Sequence, residues 1–555
     1  MALALLIATA LAFPTLSYSL WGDELWSWRE SIGGRLVRDA TSSNLDTGTL
    51  YWEGLGWEHT AWRYLTTNHH FLFALTGRAS NAIWQSFADQ REWAFSESAL
   101  RLVPMLFGLA GAVLWARFLL PTSRLAAVLT PFLLAVHPWY LRYLTEARGY
   151  AFLFALIPAL LLFLRSAVVA GRSRAWIGVA ICQILAIYAW PGILLALGGL
   201  QIAILTWLWR RRRTEGSGKD RWHWMIANLA SAMILLQLTA PCIPQIWDYS
   251  DEVPFRGVGG YWILNELSWF CLGCDSLDVR DYAAVNPLYV TAQNLLQRAP
   301  FLTLTSLCLI AASLVTGTLV WLRRVPLGQP ILFGIGTATF LTWALASWSG
   351  IAMYPWYFVY LLPLGAGLVA LGLATLSKCV SKVAFSKSRD GERTSSRAIP
   401  WLLSAGGCII IAVANLPQIR TIRSGSQDPR RESVAMTRPD APLLDPVHLD
   451  VITAHCNQSA IGYDPHGWMI DKANAGPDEP PGLIQLMRLA DTSSATLWVN
   501  VGGVDALERD FPDIAEQLQK NSLFELVHRV HGLAPQFERH LYRYRGGLFD
   551  FLKGL

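Results

Sequence analysis

What most restricts this chain is a succession of apolar runs, each close to the length a helix needs to cross a bilayer. They fall near residues 2–20, 99–120, 122–140, 150–170, 174–190, 192–210, 223–246, 300–322, 331–349, 358–376 and 399–418. About 20 apolar residues cover a hydrocarbon core of roughly 30 Å as a helix, so the pattern predicts about eleven spans. With 53% apolar and only 15% charged residues, the chain has too little charge for an ordinary soluble surface. The expected class is therefore an α-helical polytopic membrane protein. The net charge of +5 does not argue for a nucleic-acid partner, because the basic residues sit in short links between the runs. Residues 2–20 lack a basic leader and a small-residue cleavage site before Trp21, so they read as a retained first helix.

Charge assigns the sides. Alternate links, around Arg117 and Arg124, Arg165 to Arg174, Arg210 to Arg221, Arg323 and Arg324, and Lys378 to Arg397, hold 19 basic residues against 4 acidic ones. The two long loops at 21–98 and 248–298 hold 17 acidic and 9 basic residues, which places both outside the cell. Residues 1–418 are thus read as a membrane domain with these two outer loops. Residues 419–555, richer in Pro and Asp, read as a small extracytoplasmic α/β domain, with strands at 448–453, 495–501, 524–530 and 540–544 and a helix at 504–520. Within the first outer loop, 60–79 and 81–95 read as amphipathic helices lying along the membrane. Of the eight cysteines, only Cys271 and Cys274 are close in sequence, a spacing that fits a local disulfide better than a metal site.

Three stretches carry chemistry. Trp21-Gly22-Asp23-Glu24-Leu25-Trp26-Ser27-Trp28 sets two carboxylates among three tryptophans directly after the first apolar run. The carboxylates suit a general base beside an apolar wall of sugar size, or simply the solvated end of a helix with interfacial tryptophans. Asn68-His69-His70 brings two imidazoles to the same outer loop, able to hydrogen-bond a phosphate or orient a carboxylate, or to stand in solvent. Arg142-Tyr143-Leu144-Thr145-Glu146-Ala147-Arg148-Gly149-Tyr150 puts three charges next to long apolar runs, where charge is costly and usually functional. The planar fork of Arg suits phosphate, while helix-end anchoring or an internal Glu–Arg pair is the plainer alternative.

Together these motifs resemble the polyprenyl-phosphate-sugar-dependent glycosyltransferases of the GT-C class. The likeness is strongest to glycosyltransferase family 39 and its relatives, which include protein mannosyltransferases and the lipid A aminoarabinose transferase. It extends over roughly residues 1–420 in topology and rests on three short motifs. It implies Asp23 as catalytic base with Glu24 as neighbour or metal contact, and His69, His70, Arg142, Tyr143, Glu146 and Arg148 as substrate-binding residues. Ser98 to Pro104 is similar to the family's Arg-Leu-Pro start. The chain departs from the family at His70 and Phe71, where prolines are usual, at Leu144 and Thr145, and at Pro355-Trp356-Tyr357, which lacks the arginine. The implied partners are a polyprenyl-phosphate-linked sugar donor, a lipid, glycan or protein acceptor, and the bilayer. The implied location is the plasma (inner) membrane. The implied mechanism needs no nucleotide, and a divalent cation is left open because no ligand spacing compels one.

A lipid-linked-sugar flippase or transporter is the competing reading. Coupled carriers place Asp, Glu or His inside their helices. Here the apolar runs hold almost no acids and the polar residues gather in the outer loops, which favours the enzyme.

Overall fold

In a computed structural model, the structure describes residues 1–18, 20, 22–38, 50–63, 69–88, 94–211, 217–245, 262–263, 267, 270–271, 300–349, 353–385, 395–423, 443–444, 460–461, 491, 498–502, 523–530 and 539–546. In chain order the elements are helices α1 (Ala2–Ala12) and α2 (Gly22–Ser27), strands β1 (Gly34–Arg38) and β2 (Leu50–Gly54), then α3 (Trp57–Trp62), α4 (Phe71–Gln85) and α5 (Glu97–Leu119). There follow α6 (Arg124–Ala135), α7 (Pro138–Leu144), α8 (Tyr150–Val168), α9 (Ala175–Ala189), α10 (Leu194–Arg210) and α11 (Ser217–Thr239). The last helices are α12 (Pro300–Arg324), α13 (Gly328–Ser349), α14 (Leu361–Phe385) and α15 (Ser395–Arg423). After them come strands β3 (Leu443–Leu444), β4 (Ala460–Ile461), β5 (Trp498–Gly502), β6 (Phe524–Val530) and β7 (Arg539–Tyr544). The residues pack as two compact units, one made of Met1–Pro14, Trp62–Phe73 and Arg101–Arg423, the other of Thr15–Ala61, Ala74–Leu100 and Ser424–Leu555.

The chain is a helical, multi-pass membrane protein. Among the described residues eight helices are long and apolar enough to span, and a ninth span forms if α6 and α7, bent by 73°, are taken together. The expected eleven comprise these together with two shorter apolar helices. All eleven apolar runs are helical, but Ala2–Ser17 and Ala175–Ala189 are short helices of 10–17 residues. At 1.5 Å per residue such helices reach about 15–26 Å, less than a hydrocarbon core. Hydropathy counts apolar residues whether or not the chain turns among them, and both short runs turn early. Beyond α1 the chain tightens into a 3₁₀ turn over Phe13–Ser17 that contains Pro14, and α9 stops at an extended Trp190 before Pro191. The residue before proline is driven out of the helical region, which sets that second stop.

Small residues let helices in the first unit approach closely. A Cβ added at Gly317 of α12 would strike the Leu368 carbonyl oxygen of α14, and one added at Gly372 would strike the carbonyl oxygen of Ser313. Short polar bonds tie other pairs, such as Trp224 Nε1 donating to Gln201 Oε1 at 2.8 Å and Ser404 bonded to Ser377 at 2.8 Å. The break between α6 and α7 is satisfied from elsewhere. Asn415 Nδ2 donates to Val136 O at 3.0 Å, and Pro138 starts α7 at a position where its missing N–H costs nothing. His137 caps α7 by accepting from Tyr140 N at 3.4 Å through Nδ1, while Nε2 donates to Cys271 O at 3.1 Å. Cys271 is a free thiol, against the expected disulfide, and Cys274 lies outside the described residues.

In the second unit, α2 runs into a π-helical turn at Trp28–Ile32 and then an antiparallel hairpin, β1 with β2. The sequence reading did not find this hairpin. Arg78 fastens the following loop to α4: it donates to Gly56 O and Thr60 Oγ1, each at 2.7 Å, and to Leu55 O, and its guanidinium stacks on Trp57 at 4.6 Å. The expected helices at 60–79 and 81–95 are replaced by α3 and a single α4, and residues 94–96 are irregular. Residues 64–68 and 89–93 lie outside the described residues. The tail forms a five-stranded mixed sheet of order β4-β3-β5-β7-β6, in which β3 lies parallel to β4 and β5, and β5, β7 and β6 are antiparallel neighbours. The expected strands at 495–501, 524–530 and 540–544 correspond to β5, β6 and β7, while the expected strand at 448–453 and helix at 504–520 lie outside the described residues.

Gly372→Val should overpack the α12–α14 crossing and destabilise by about 1–3 kcal/mol. A thermal unfolding scan of purified protein in detergent checks this, with Gly406→Val, where an added Cβ meets nothing, as the control.

Candidate functional site

The residues singled out in Arg142–Tyr150 come together with His69 and His70 in the first unit. Helix α7 ends at Leu144, residues 145–149 turn, and Tyr150 opens α8. Arg148 is 2% exposed, Glu146 5% and His70 2%, so this polar turn is buried rather than solvated. Arg142 Nε lies 3.9 Å from Glu146 Oε2, an ion pair one helical turn apart with both side chains nearly covered. The Arg142 guanidinium also lies over the rings of Trp139 and Tyr143, 5.7 Å from each centroid. Arg148 lies over Tyr150 at 5.8 Å. This is the internal pair the sequence allowed as its plainer alternative, together with a second buried cation.

The histidines are fixed by packing. His70 Nδ1 bonds Ala189 O at 2.9 Å, and its ring meets Tyr150 edge-on at 4.8 Å. That carbonyl is available because α9 ends there: Ile193 N, four residues on, donates to Trp190 O instead. Gly149 is required beneath the contact, since a Cβ there would strike Ala189 O and come within 2.6 Å of His70 Nδ1. His69 packs on Phe71 at 4.3 Å, and Phe71 stacks on Tyr188 at 5.1 Å. Burial, reinforced by the Arg148 guanidinium, lowers His69 to about 3. The same two causes, with a smaller contribution from His69, hold His70 well below its ordinary value despite the bond to Ala189. Both imidazoles are neutral at working pH, and the positive charge of the cluster comes from Arg142 and Arg148.

From these contacts a connected aromatic run leads away from the charges. Tyr150 meets Trp190 at 6.1 Å, Trp190 meets Tyr357 at 5.5 Å, and Tyr357 meets Tyr354 edge-on at 5.7 Å. Tyr354 in turn stacks on Trp356 at 4.4 Å with planes 9° apart. Sequence reasoning missed Tyr150, Trp190 and Tyr357 as site residues. The only signal was the density of aromatics beside Pro191 and Pro355.

In the second unit Asp23 and Glu24 fall in α2. Glu24 is 2% exposed, and Trp28 and Glu30 are buried with it, so this stretch is not the solvated helix end that was the alternative reading. The Asp23 side chain lies outside the described residues. Glu30 was missed; it sits on the π-helical turn, a distortion found often at functional sites. No group of three or more His, Cys, Asp or Glu among the described residues is placed to hold a metal ion.

No protein-family model matches the chain, and no curated protein matches it. Several solved structures are similar in shape. ArnT from Cupriavidus metallidurans in the apo state is 14% identical, with a TM-score of 0.48 over 99% of this chain and 98% of that one. The same enzyme bound to undecaprenyl phosphate has a TM-score of 0.47 over 99% and 97%, also at 14% identity. The archaeal oligosaccharyltransferase AglB from Archaeoglobus fulgidus, in complex with an inhibitory peptide and a dolichol-phosphate, has a TM-score of 0.45 at 14% identity and covers 93% of this chain and 71% of that one. At this identity, and with TM-scores below 0.5, the likeness assigns no residue a role.

Stability should fall with acid in a way that reports the two histidines. The unfolded chain takes up protons as pH drops through about 6.5, whereas folded His69 stays neutral down to about 3, so the unfolded state binds more protons between these values. Each such histidine then removes about 1.4 kcal/mol per pH unit across that window. The unfolding midpoint measured from pH 7 to pH 4.5 should drop, and the slope should flatten in His69→Gln. Separately, Gly149→Ala should lower the midpoint at pH 7, since its methyl and the His70–Ala189 bond compete for one space.

Proposed function

We propose that this protein is a membrane glycosyltransferase that moves a sugar from a polyprenyl monophosphate to an acceptor hydroxyl at the extracytoplasmic face of the plasma (inner) membrane. The observation that carries this reading is the burial of Glu146 and Arg148 in the turn before α8, with the mostly covered Arg142 at the end of α7 paired to Glu146, in a unit otherwise built of apolar helices. The two guanidiniums supply planar forks of donors that match phosphate oxygens. The first turn of α8 adds the positive end of a helix dipole. Such donors suit an anion, and a lipid phosphate brings one together with a tail that apolar helices accept.

In the proposed reaction Asp23 removes the proton of the acceptor hydroxyl, whose oxygen attacks the anomeric carbon. The bond to the phosphate oxygen breaks, and the charge gathering on the leaving phosphate is met by Arg148 and Arg142. Glu146 holds Arg142, with which it pairs, and Glu24 stands beside the base. Tyr143 forms part of the aromatic bed beneath Arg142. The charge distribution, acidic in the loops at 21–98 and 248–298, supports placing them and the C-terminal domain outside the cell.

Purified protein incubated with polyprenyl-phosphate sugars labelled in the sugar should release or transfer the label. Movement of intact lipid across a vesicle wall without cleavage would establish the flippase reading instead. Asp23→Asn should lower transfer by about 10²–10⁴-fold with membrane insertion unchanged, and near wild-type turnover would remove it as the base. Arg148→Ala should cost about 10²–10³-fold and weaken use of the donor more than of the acceptor.

A further inference from the structure

The bond between His70 and Ala189 determines what else His70 can do. A carbonyl oxygen only accepts, so the 2.9 Å contact requires the proton to be on Nδ1. In the neutral ring Nε2 then carries a lone pair and no hydrogen. That atom is buried and has no hydrogen-bond partner among the described residues, on a side chain 2% exposed. A buried polar atom without a partner costs about 1–3 kcal/mol, so such an atom is usually aimed at a ligand or an ordered water. The ring cannot swing to escape: Tyr150 meets it edge-on, and Gly149 and Ala189 close on Nδ1.

We propose that His70 Nε2 is an acceptor site for a hydroxyl of the transferred sugar, and that His70 does not bind the phosphate. The inference rests on the donor reading given above and deepens it. The phosphate of the sugar-bearing donor, esterified on both sides, has no proton at working pH to offer a lone pair, and two acceptors repel. An ammonium group has protons, but the nearby Arg148 guanidinium disfavours a second cation. A neutral hydroxyl fits both neighbours, since it donates to His70 and can accept from a guanidinium. A sugar ring carries hydroxyls along the carbons that follow the one where transfer occurs, the first of them on its immediate neighbour. Burial of the imidazole and the adjacent guanidinium keep it neutral, so the acceptor lone pair persists across the working pH range.

The test uses the full chain in nanodiscs, without acceptor substrate, and two probes: undecaprenyl phosphate, and a panel of undecaprenyl-phosphate hexoses and pentoses. His70→Asn keeps an amide N–H for Ala189 and loses the reach of Nε2. It should bind the best sugar-bearing lipid about tenfold more weakly, the loss of one hydrogen bond, and bind undecaprenyl phosphate as wild type does. Ring-¹⁵N histidine spectra of the unsubstituted protein give a second readout that does not depend on the variant folding. The unprotonated Nε2 signal of His70 should move when the sugar-bearing lipid is added and stay when undecaprenyl phosphate is added. Equal weakening for both lipids, or an Nε2 signal moved by undecaprenyl phosphate, would return His70 to the phosphate and overturn the proposal. An unchanged affinity and an unmoved signal would leave a water as its partner and overturn it as well. In each of these cases the wild type still binds the lipids and the donor reading stands. Failure of the wild type to bind either probe would instead overturn that reading, and the hydroxyl assignment with it.

Discussion

Irregular backbone inside an apolar helical unit is tolerated only where its polar groups find partners, because no water is at hand to replace them. The first unit departs from helix twice in close succession, at residues 136–137 and again at 145–149. Each departure is met by a specific device. Asn415 takes the freed Val136 carbonyl, His137 caps the new helix, and Tyr140 Oη donates to Gly108 O at 2.7 Å. The second turn is closed by Arg148 N donating to Glu146 O at 2.7 Å and Thr145 N donating to Arg142 O at 3.2 Å. Between these fixed points α7 is a short shelf, and the charged side chains leave the chain from its end and from the turn that follows. Their position depends on the break rather than on any one side chain.

Charge at that place takes the form of an ion pair and a further cation. Glu146 faces Arg142 in a buried pair, which on its own offers little net stability because both groups have lost their water. Arg148 adds a second cation just before the first turn of α8, where the helix dipole already favours a negative charge. The neighbouring histidines do not add to this, since burial and Arg148 keep both neutral. Cation placement, ring neutrality and the absence of a methyl at Gly149 are therefore one arrangement: altering any of them changes the field the others meet.

The helical, multi-pass class was legible in the sequence, because eleven apolar runs leave no other way to bury so much apolar surface. Helix length was not, since hydropathy is blind to the stop at Trp190–Pro191 and the 3₁₀ turn at Phe13–Ser17. Arg142, Glu146 and Arg148 stood out because charge beside apolar runs is rare. His69 and His70 were visible as residues but not as chemistry: burial and tautomer are set by Ala189, 119 positions along the chain from His70. The hairpin of β1 and β2 escaped because its register depends on Gly34, whose φ of 133° and close approach to Glu53 O leave no room for a side chain, and no alternation of apolar residues announced it. Glu24 and Trp28 were readable as a polar, aromatic cluster, while the packing of Trp28 on Phe95, whose ring centroid lies 4.7 Å away, joins residues 67 positions apart.

The stop at Trp190 links these levels. A helix that ended four residues later would have spent the Ala189 carbonyl on its own ladder. Proline at 191 prevents this by forcing Trp190 into an extended conformation, and the next available amide, Ile193 N, closes a tighter turn on Trp190 O. The carbonyl left over at Ala189 then has a buried acceptor's need for a donor, which His70 supplies. Meeting that need fixes the proton on Nδ1 and leaves a lone pair on Nε2, so a proline in one helix sets the hydrogen-bonding character of a side chain in another. The stop that shortens α9 is on this view the condition for the site: a helix continued through residue 193 would leave His70 without its anchor.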